Sequence, residues 1–234
     1  MKNQRTNAVV TGCTGAIGTT LLRLLVREGY SVYAVVREHS PRLGNLPVSP
    51  YIHVVHCDLS DMAQLPAKIP EPCELFFHLG WDGTFGDTRN DMPLQTGNIL
   101  SAVRTTEAAH ALGCRVFVGA GSQAEYGRKD TALTPDLSCF PENGYGMAKL
   151  CAGQMTRTVC ERAGMLHIWM RILSVYGEHD GENTLIMTAV RKLLHGEHLA
   201  CTAGEQLWDY LYSEDAARAL LLAAQHCRKS AVYC

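Results

Sequence analysis

Residues 11–18 read TGCTGAIG, where the apolar run NAVVTG (7–12) gives way to the helical pattern AIGTTLLRLLVRE (16–28). Gly12, Gly15 and Gly18 stand at G-x-x-G-x-x-G spacing. Each has a mechanical reason in a turn that joins a strand to a helix. Gly12 permits the tight turn, Gly15 lets a phosphate group approach the backbone, and Gly18 lets the helix pack closely on the strand. Cys13, Thr14, Ala16 and Ile17 fill the positions between them, so the whole turn is a candidate phosphate cradle. The helix N-terminus would present free N–H groups and a positive dipole end to that anion. Three glycines alone also fit an ordinary structural turn. The strand before, the helix after and the place at the start of the chain favour the dinucleotide reading.

Working outward, apolar runs alternate with helical patterns. SVYAVVR (31–37), YIHVVHC (51–57), LFFHLG (75–80), RVFVGAG (115–121) and MLHIWMRIL (165–173) read as buried strands. Helical patterns cover 93–112, 145–163, 184–195 and 213–226, the first of these ending at Gly113. Residues 131–143 carry prolines and read as a surface loop. This alternation predicts right-handed βαβ units and a doubly wound parallel sheet, an α/β fold of the Rossmann type. We assign residues 1–173 to a dinucleotide-binding domain and 174–234 to a small, shortened substrate lobe interwoven with it. The helix 213–226 is expected to return to the main sheet.

In such folds an acidic residue at the end of the second strand holds the ribose hydroxyls of NAD. Here that strand ends at Arg37. Arg37 suits a 2′-phosphate and tilts the cofactor from NAD towards NADP, while an ordinary solvated arginine explains it equally simply.

The 234 residues, 47% hydrophobic and 19% charged, carry a net charge of −2, which gives no general attraction to nucleic acid or an anionic membrane. The start, MKNQRTNAVVTG, lacks the apolar core of a signal peptide, and no uninterrupted apolar run approaches the roughly eighteen residues of a membrane span. The ten cysteines are scattered without a C-x-x-C pair and read as reduced thiols, mostly small core residues, in a cytoplasmic protein. His53/His56 and His195/His198 lack nearby partner ligands, so no metal is expected.

NGYGMAK (143–149) sets Tyr145 and Lys149 four residues apart, on one face of the helix that follows. An ordinary helix surface would look the same. So would a tyrosine tuned for proton transfer by a neighbouring ammonium.

Together these motifs resemble one family, the extended short-chain dehydrogenases, also called the NAD-dependent epimerase/dehydratase family, over nearly the whole chain. TGCTGAIG resembles its cofactor turn and Tyr145-Gly-Met-Ala-Lys149 its catalytic pair. HCDLSD (56–61) is similar to its adenine contact, which implies roles for Asp58 and Leu59. HLGWDG (78–83) is similar to its loop beneath the nicotinamide ribose, which implies His78, Leu79 and Gly80. The stretch 97–127 matches its long helix, beginning near Asn98, then its next strand and serine loop, and RILSVYGEHD (171–180) and WDYLYSEDAARALLLA (208–223) match its substrate-facing segment and following helix.

The resemblance implies Tyr145 as general acid/base, with Lys149 lowering its pKa and binding the nicotinamide ribose, and Ser122 orienting the substrate oxygen. It further implies substrate contacts from Gln123, Glu125, Arg171 and Tyr210, a nucleotide-sugar substrate and a homodimer. Family dehydratases follow the hydroxyl of the serine loop with Asp-Glu. Here Gln123 and Ala124 follow Ser122, which disfavours dehydration and leaves 4-epimerisation or 4-keto reduction. The family's Arg-Asp before the aromatic segment is Trp208-Asp209 here, and the chain ends at AVYC, where a final strand is expected to begin. Two alternatives stay open: an NADPH-dependent reductase of a small aldehyde or ketone, and a catalytically silent NAD(P)-sensing protein.

Overall fold

In the computed structural model the run after Arg5 forms β1 (Thr6–Thr11), and TGCTGAIG turns it into α1 (Ala16–Arg27). The structure describes residues 5–234, so residues 1–4 of the stretch read as leaderless lie outside it. Next come β2 (Tyr30–Val36), β3 (Ile52–His56), the short α2 (Leu65–Lys68) and β4 (Leu75–His78). The long helix is α3 (Met92–Ala111), whose Asp91 side chain caps it by accepting from Leu94 N. After β5 (Val116–Ser122), Asn143 caps α4 (Gly144–Ala163), and Gly164, in the left-handed region at φ 69°, stops it. Then follow β6 (Leu166–Ile172), β7 (Ser174–Tyr176), α5 (Leu185–Leu194), β8 (Tyr210–Tyr212), α6 (Ser213–His226) and β9 (Ala231–Tyr233).

Seven strands form one parallel sheet in the order β3-β2-β1-β4-β5-β6-β9. The order reverses between β1 and β4, and such a reversal opens a crevice at the carboxyl ends of the strands, where dinucleotide folds bind their ligand. Leu21, Leu22 and Leu25 of α1 and Leu220 and Leu221 of α6 cover one face, over Val10, Ala34, Phe77 and Val118. On the other face, Ala108 and Ala109 of α3 and Cys160 of α4 close over Val9, Phe76 and Phe117. Each fully buried leucine contributes about 2 kcal/mol by leaving water.

Two expectations need correction. The run 51–57 is not a buried strand: β3 lies at the sheet edge, and only its Val55 is buried, because no strand covers its outer side. The final strand begins at AVYC as expected: residues 231–233 pair with β6 as β9 and join the main sheet. Of the ten cysteines, Cys13, Cys57, Cys73, Cys114 and Cys160 are buried, which is half rather than most. Beside the sheet, β7 and β8 pair in a separate two-stranded ribbon, and α5 has no buried residue.

Candidate active site

The phosphate-binding turn is shaped by contacts at the switch point. Gly12 has φ +68°, and a Cβ there would lie 2.6 Å from the Leu79 carbonyl carbon and from Gly80 N. A Cβ on Gly18 would overlap the Gly12 carbonyl, so the start of α1 sits directly on the turn. Gly15 is different. Its Cβ would meet only Gly12 O, at 3.7 Å, so internal packing does not demand a glycine there. Gly15 is also the N-cap of α1; no side chain caps the helix, and its first turn carries no acidic residue. The leading N–H groups are therefore available to an anion, as a dinucleotide pyrophosphate requires. Cys13 turns inward, with its thiol donating to Val35 O at 3.3 Å and its pKa pushed up to about 12 by burial, so only its backbone faces the turn. Asn45 fastens the turn by donating to Thr14 O at 3.0 Å.

Thr11 joins the two strands at the switch point. Its Oγ1 lies 2.9 Å from His78 Nδ1 and accepts from Gly80 N at 3.1 Å. His78 is buried, and burial together with the Lys149 charge pushes its pKa down to about 3. It is thus a neutral interior group that braces the loop. Asn98 is also buried: it donates to Asp82 O at 2.8 Å and accepts from Asp82 N at 3.1 Å. That amide holds the loop after β4. Asp58 and Leu59 follow β3 at the carboxyl edge, where Leu59 packs towards Gly80. Arg37, 58% exposed in its side chain, has Nη1 3.8 Å from Asp82 Oδ1, so a carboxylate already faces it across the crevice.

Ser122, Tyr145 and Lys149 meet at the end of β5. Lys149 Nζ donates to Ala120 O at 2.7 Å and lies 3.9 Å from the centre of the Trp81 ring. Its pKa falls to about 7 because burial outweighs the opposing pull of Glu125. The Tyr145 pKa moves up from the ordinary phenol value. Burial is the main cause and Glu125 adds to it, while the Ser122 hydroxyl and the Arg89 guanidinium oppose it. Lys149, expected to lower the tyrosine pKa together with an oxidised nicotinamide, is not among the groups that set this direction. The ammonium sits 5.8 Å from the Tyr145 ring centre and is turned towards Ala120 and Trp81.

Two residues expected to contact the substrate, Glu125 and Arg171, are engaged by protein partners. Glu125 is completely buried, with Oε1 accepting from Ser122 N (2.8 Å) and Trp169 Nε1 (2.9 Å) and Oε2 from Arg171 Nε (2.8 Å). Arg171 also donates to Pro135 O at 3.1 Å. Both are tied to protein partners because a buried charge must be paired. Gln123 is half-buried beside Ser122, and Tyr210 lies on the exposed β7–β8 ribbon.

Other contributors went unread in the sequence. Trp81 meets Tyr145 edge-on, with ring centres 6.2 Å apart, and its Nε1 donates to Gln95 Oε1 at 3.0 Å. Gln95 Nε2 in turn donates to Gly83 O (2.9 Å) and Thr88 O (3.0 Å). Arg89 stacks on Tyr145, with Cζ 4.4 Å from the ring centre. No spacing rule signals these residues, although a tryptophan beside HLG was a visible anomaly. Among the described residues, no cluster of three or more His, Cys, Asp and Glu side chains is placed to hold a metal, and no helix is long and apolar enough to cross a membrane.

Residues 8–233 match the model of the NAD dependent epimerase/dehydratase family. The chain is 26% identical to an ADP-L-glycero-D-manno-heptose-6-epimerase of Pseudomonas paraeruginosa over 96% of its own length and 71% of the relative's. It is 25% identical to the CDP-abequose synthase of Salmonella muenchen, over 91% of this chain and 68% of that one. Among solved structures, it matches MoeE5 in complex with UDP-glucuronic acid and NAD at TM-score 0.82 and 28% identity, over 97% of this chain and 75% of that one. A UDP-N-acetylglucosamine 4-epimerase from Methanobrevibacter ruminantium M1 shares the fold at TM-score 0.85 and 22% identity, over 98% and 76% of the two chains. With the glycine turn, the sheet order and the Ser122–Tyr145–Lys149 group in place, this chain belongs to the NAD dependent epimerase/dehydratase family.

Proposed function

We propose that this protein is a nicotinamide-dependent enzyme that epimerises a nucleotide-activated sugar at C4 or reduces a 4-keto nucleotide sugar. The observation that carries the reading is the meeting of Ser122, Tyr145 and Lys149 at the carboxyl end of β5, on the same edge of the sheet as the uncapped N-terminus of α1. When bound, the dinucleotide supplies the hydride chemistry. The turn 12–18 and the first N–H groups of α1 would hold its pyrophosphate, and the loop after β4, braced by Asn98 and Thr11, would meet its ribose. Tyr145 takes or gives the proton of the sugar hydroxyl, and Ser122 orients that oxygen. Lys149 binds the nicotinamide ribose.

Against dehydration stands the serine loop. Neither Gln123 nor Ala124 carries a carboxylate, and Glu125 is fully engaged by Ser122 N, Trp169 and Arg171. For the substrate class we rely on relatives named for ADP-, CDP- and UDP-linked sugars. Residues 174–212, with Tyr210, would form the substrate lobe. Leu100 on α3 and Met147 and Met155 on α4 are about half exposed, which suits a homodimer packed through these helices. Arg37 speaks for NADP; its neighbour Asp82 and the NAD-bound MoeE5 complex speak for NAD.

Mass spectrometry of the nucleotide released on denaturing fresh protein tests the reading. Retained NAD is expected for an epimerase, which returns the hydride to the same sugar. An exchanging reductase would release its cofactor and turn over 4-keto sugars with NADH or NADPH. Full activity in Tyr145→Phe, on any substrate found, would sink the mechanism.

A further inference from the structure

A phenol that acts as an acid/base is helped by positive charge around it, and Arg89 lies closer to the centre of the Tyr145 ring than Lys149 does. The Lys149 ammonium is engaged by Ala120 O at 2.7 Å and by the Trp81 ring at 3.9 Å, and it stands 5.8 Å from the Tyr145 ring centre. Arg89 is closer, its guanidinium carbon 4.4 Å from the centre of that ring. We propose that Arg89 is a positioning residue for Tyr145: stacked on the ring, it fixes the phenol's orientation and adds a positive charge to that of Lys149. This inference rests on the reading of Tyr145 as acid/base and goes beyond it in adding a group from the loop after β4.

The arginine is held for this task. It lies in the short 3-10 helix Gly86–Asn90, and its Nη1 donates to Thr84 O at 3.2 Å. The neighbouring Asn90 side chain accepts from Gly144 N at 3.0 Å, which latches the loop to the residue just before Tyr145. Gln95, buried in α3, fastens the same loop through Gly83 O and Thr88 O. Every charged or polar group that bears on Tyr145 can be named. Ser122 and Glu125 face it from the end of β5 and the turn that follows, Lys149 lies along α4, Trp81 meets its edge, and Arg89 covers its face. Ser122 and Arg89 favour the ionised form, while burial and Glu125 oppose it. A cation over an aromatic face is attracted to the neutral ring and more strongly to the anion.

The decisive experiment is an ultraviolet difference titration of tyrosinate in the full chain with its bound nucleotide, with Tyr145→Phe subtracted so that one phenol is followed. In Arg89→Gln the midpoint is expected to move to higher pH, and in Arg89→Lys, which keeps the charge, to fall between the two. The kcat/KM profile should follow, with a loss of about tenfold at neutral pH that recovers as pH rises. A midpoint in Arg89→Gln that coincides with the wild type, in a variant of unchanged melting temperature, overturns the proposal. Undiminished activity in Tyr145→Phe would instead overturn the reading of the reaction, while the titration would still report whether Arg89 governs the phenol.

Discussion

Glu125 and Arg171 form a buried ion pair, Oε2 to Nε at 2.8 Å, between the serine loop and β6. The other carboxylate oxygen accepts from Ser122 N and Trp169 Nε1, so one side chain ties Ser122 to the next strand. Breaking a buried pair from one side leaves an uncompensated charge. Arg171→Met is expected to destabilise the protein by about 3 kcal/mol, read as a lower urea midpoint. Replacing both residues, Arg171→Met with Glu125→Met, should cost clearly less than the sum of the two single changes, whereas additive losses would show that the pair is not a unit.

Tyr145→Phe should lower kcat by about a hundredfold to ten-thousandfold, the usual range for a lost general acid/base. Its melting curve and its bound nucleotide should stay as in the wild type. A loss of nucleotide would point instead to a damaged site.

Gln95 bonds Trp81, Gly83 and Thr88 from one buried amide. The similarly sized Gln95→Met leaves those groups without their partner and should cost about 2 kcal/mol, the scale for stranding buried polar groups. Trp81 would lose its anchor over Lys149. A shift in tryptophan emission accompanied by a fall in kcat is expected, and unchanged emission would mean that Gln95 does not hold the indole.

His78 and His167 are held neutral inside, their pKa values pushed down to about 3 and about 4, chiefly by burial. Unfolded histidine titrates near 6.5, so below that pH the unfolded chain binds protons that the folded protein refuses. Stability should therefore be fully present above about pH 6.5 and decline as pH falls towards these depressed values. Lys149, lowered to about 7, acts with the same sign, so stability also rises from neutral pH towards the lysine's unfolded value. Urea midpoints at several pH values check this, and His167→Phe should flatten the acid slope. An equal slope in the variant would remove His167 from the account.

The sequence by itself determined the frame. Helix and strand periodicity, the stop at Gly113 and the turn 11–18 are local, because each depends on backbone dihedrals and on residues a few positions apart. For that reason the α/β order and the Tyr145–Lys149 spacing were legible, and the motifs gathered along the chain sufficed for the family. Only the tertiary structure decided which side chains those positions meet. Glu125 and Arg171 turned out to be partners of one another, Asn98 a brace for Asp82, and β3 an edge. Arg89 and Trp81 reach Tyr145 from 56 and 64 positions earlier in the chain. Charge, burial and stacking act through space, and no periodicity records which loop the folded sheet will bring over a tyrosine.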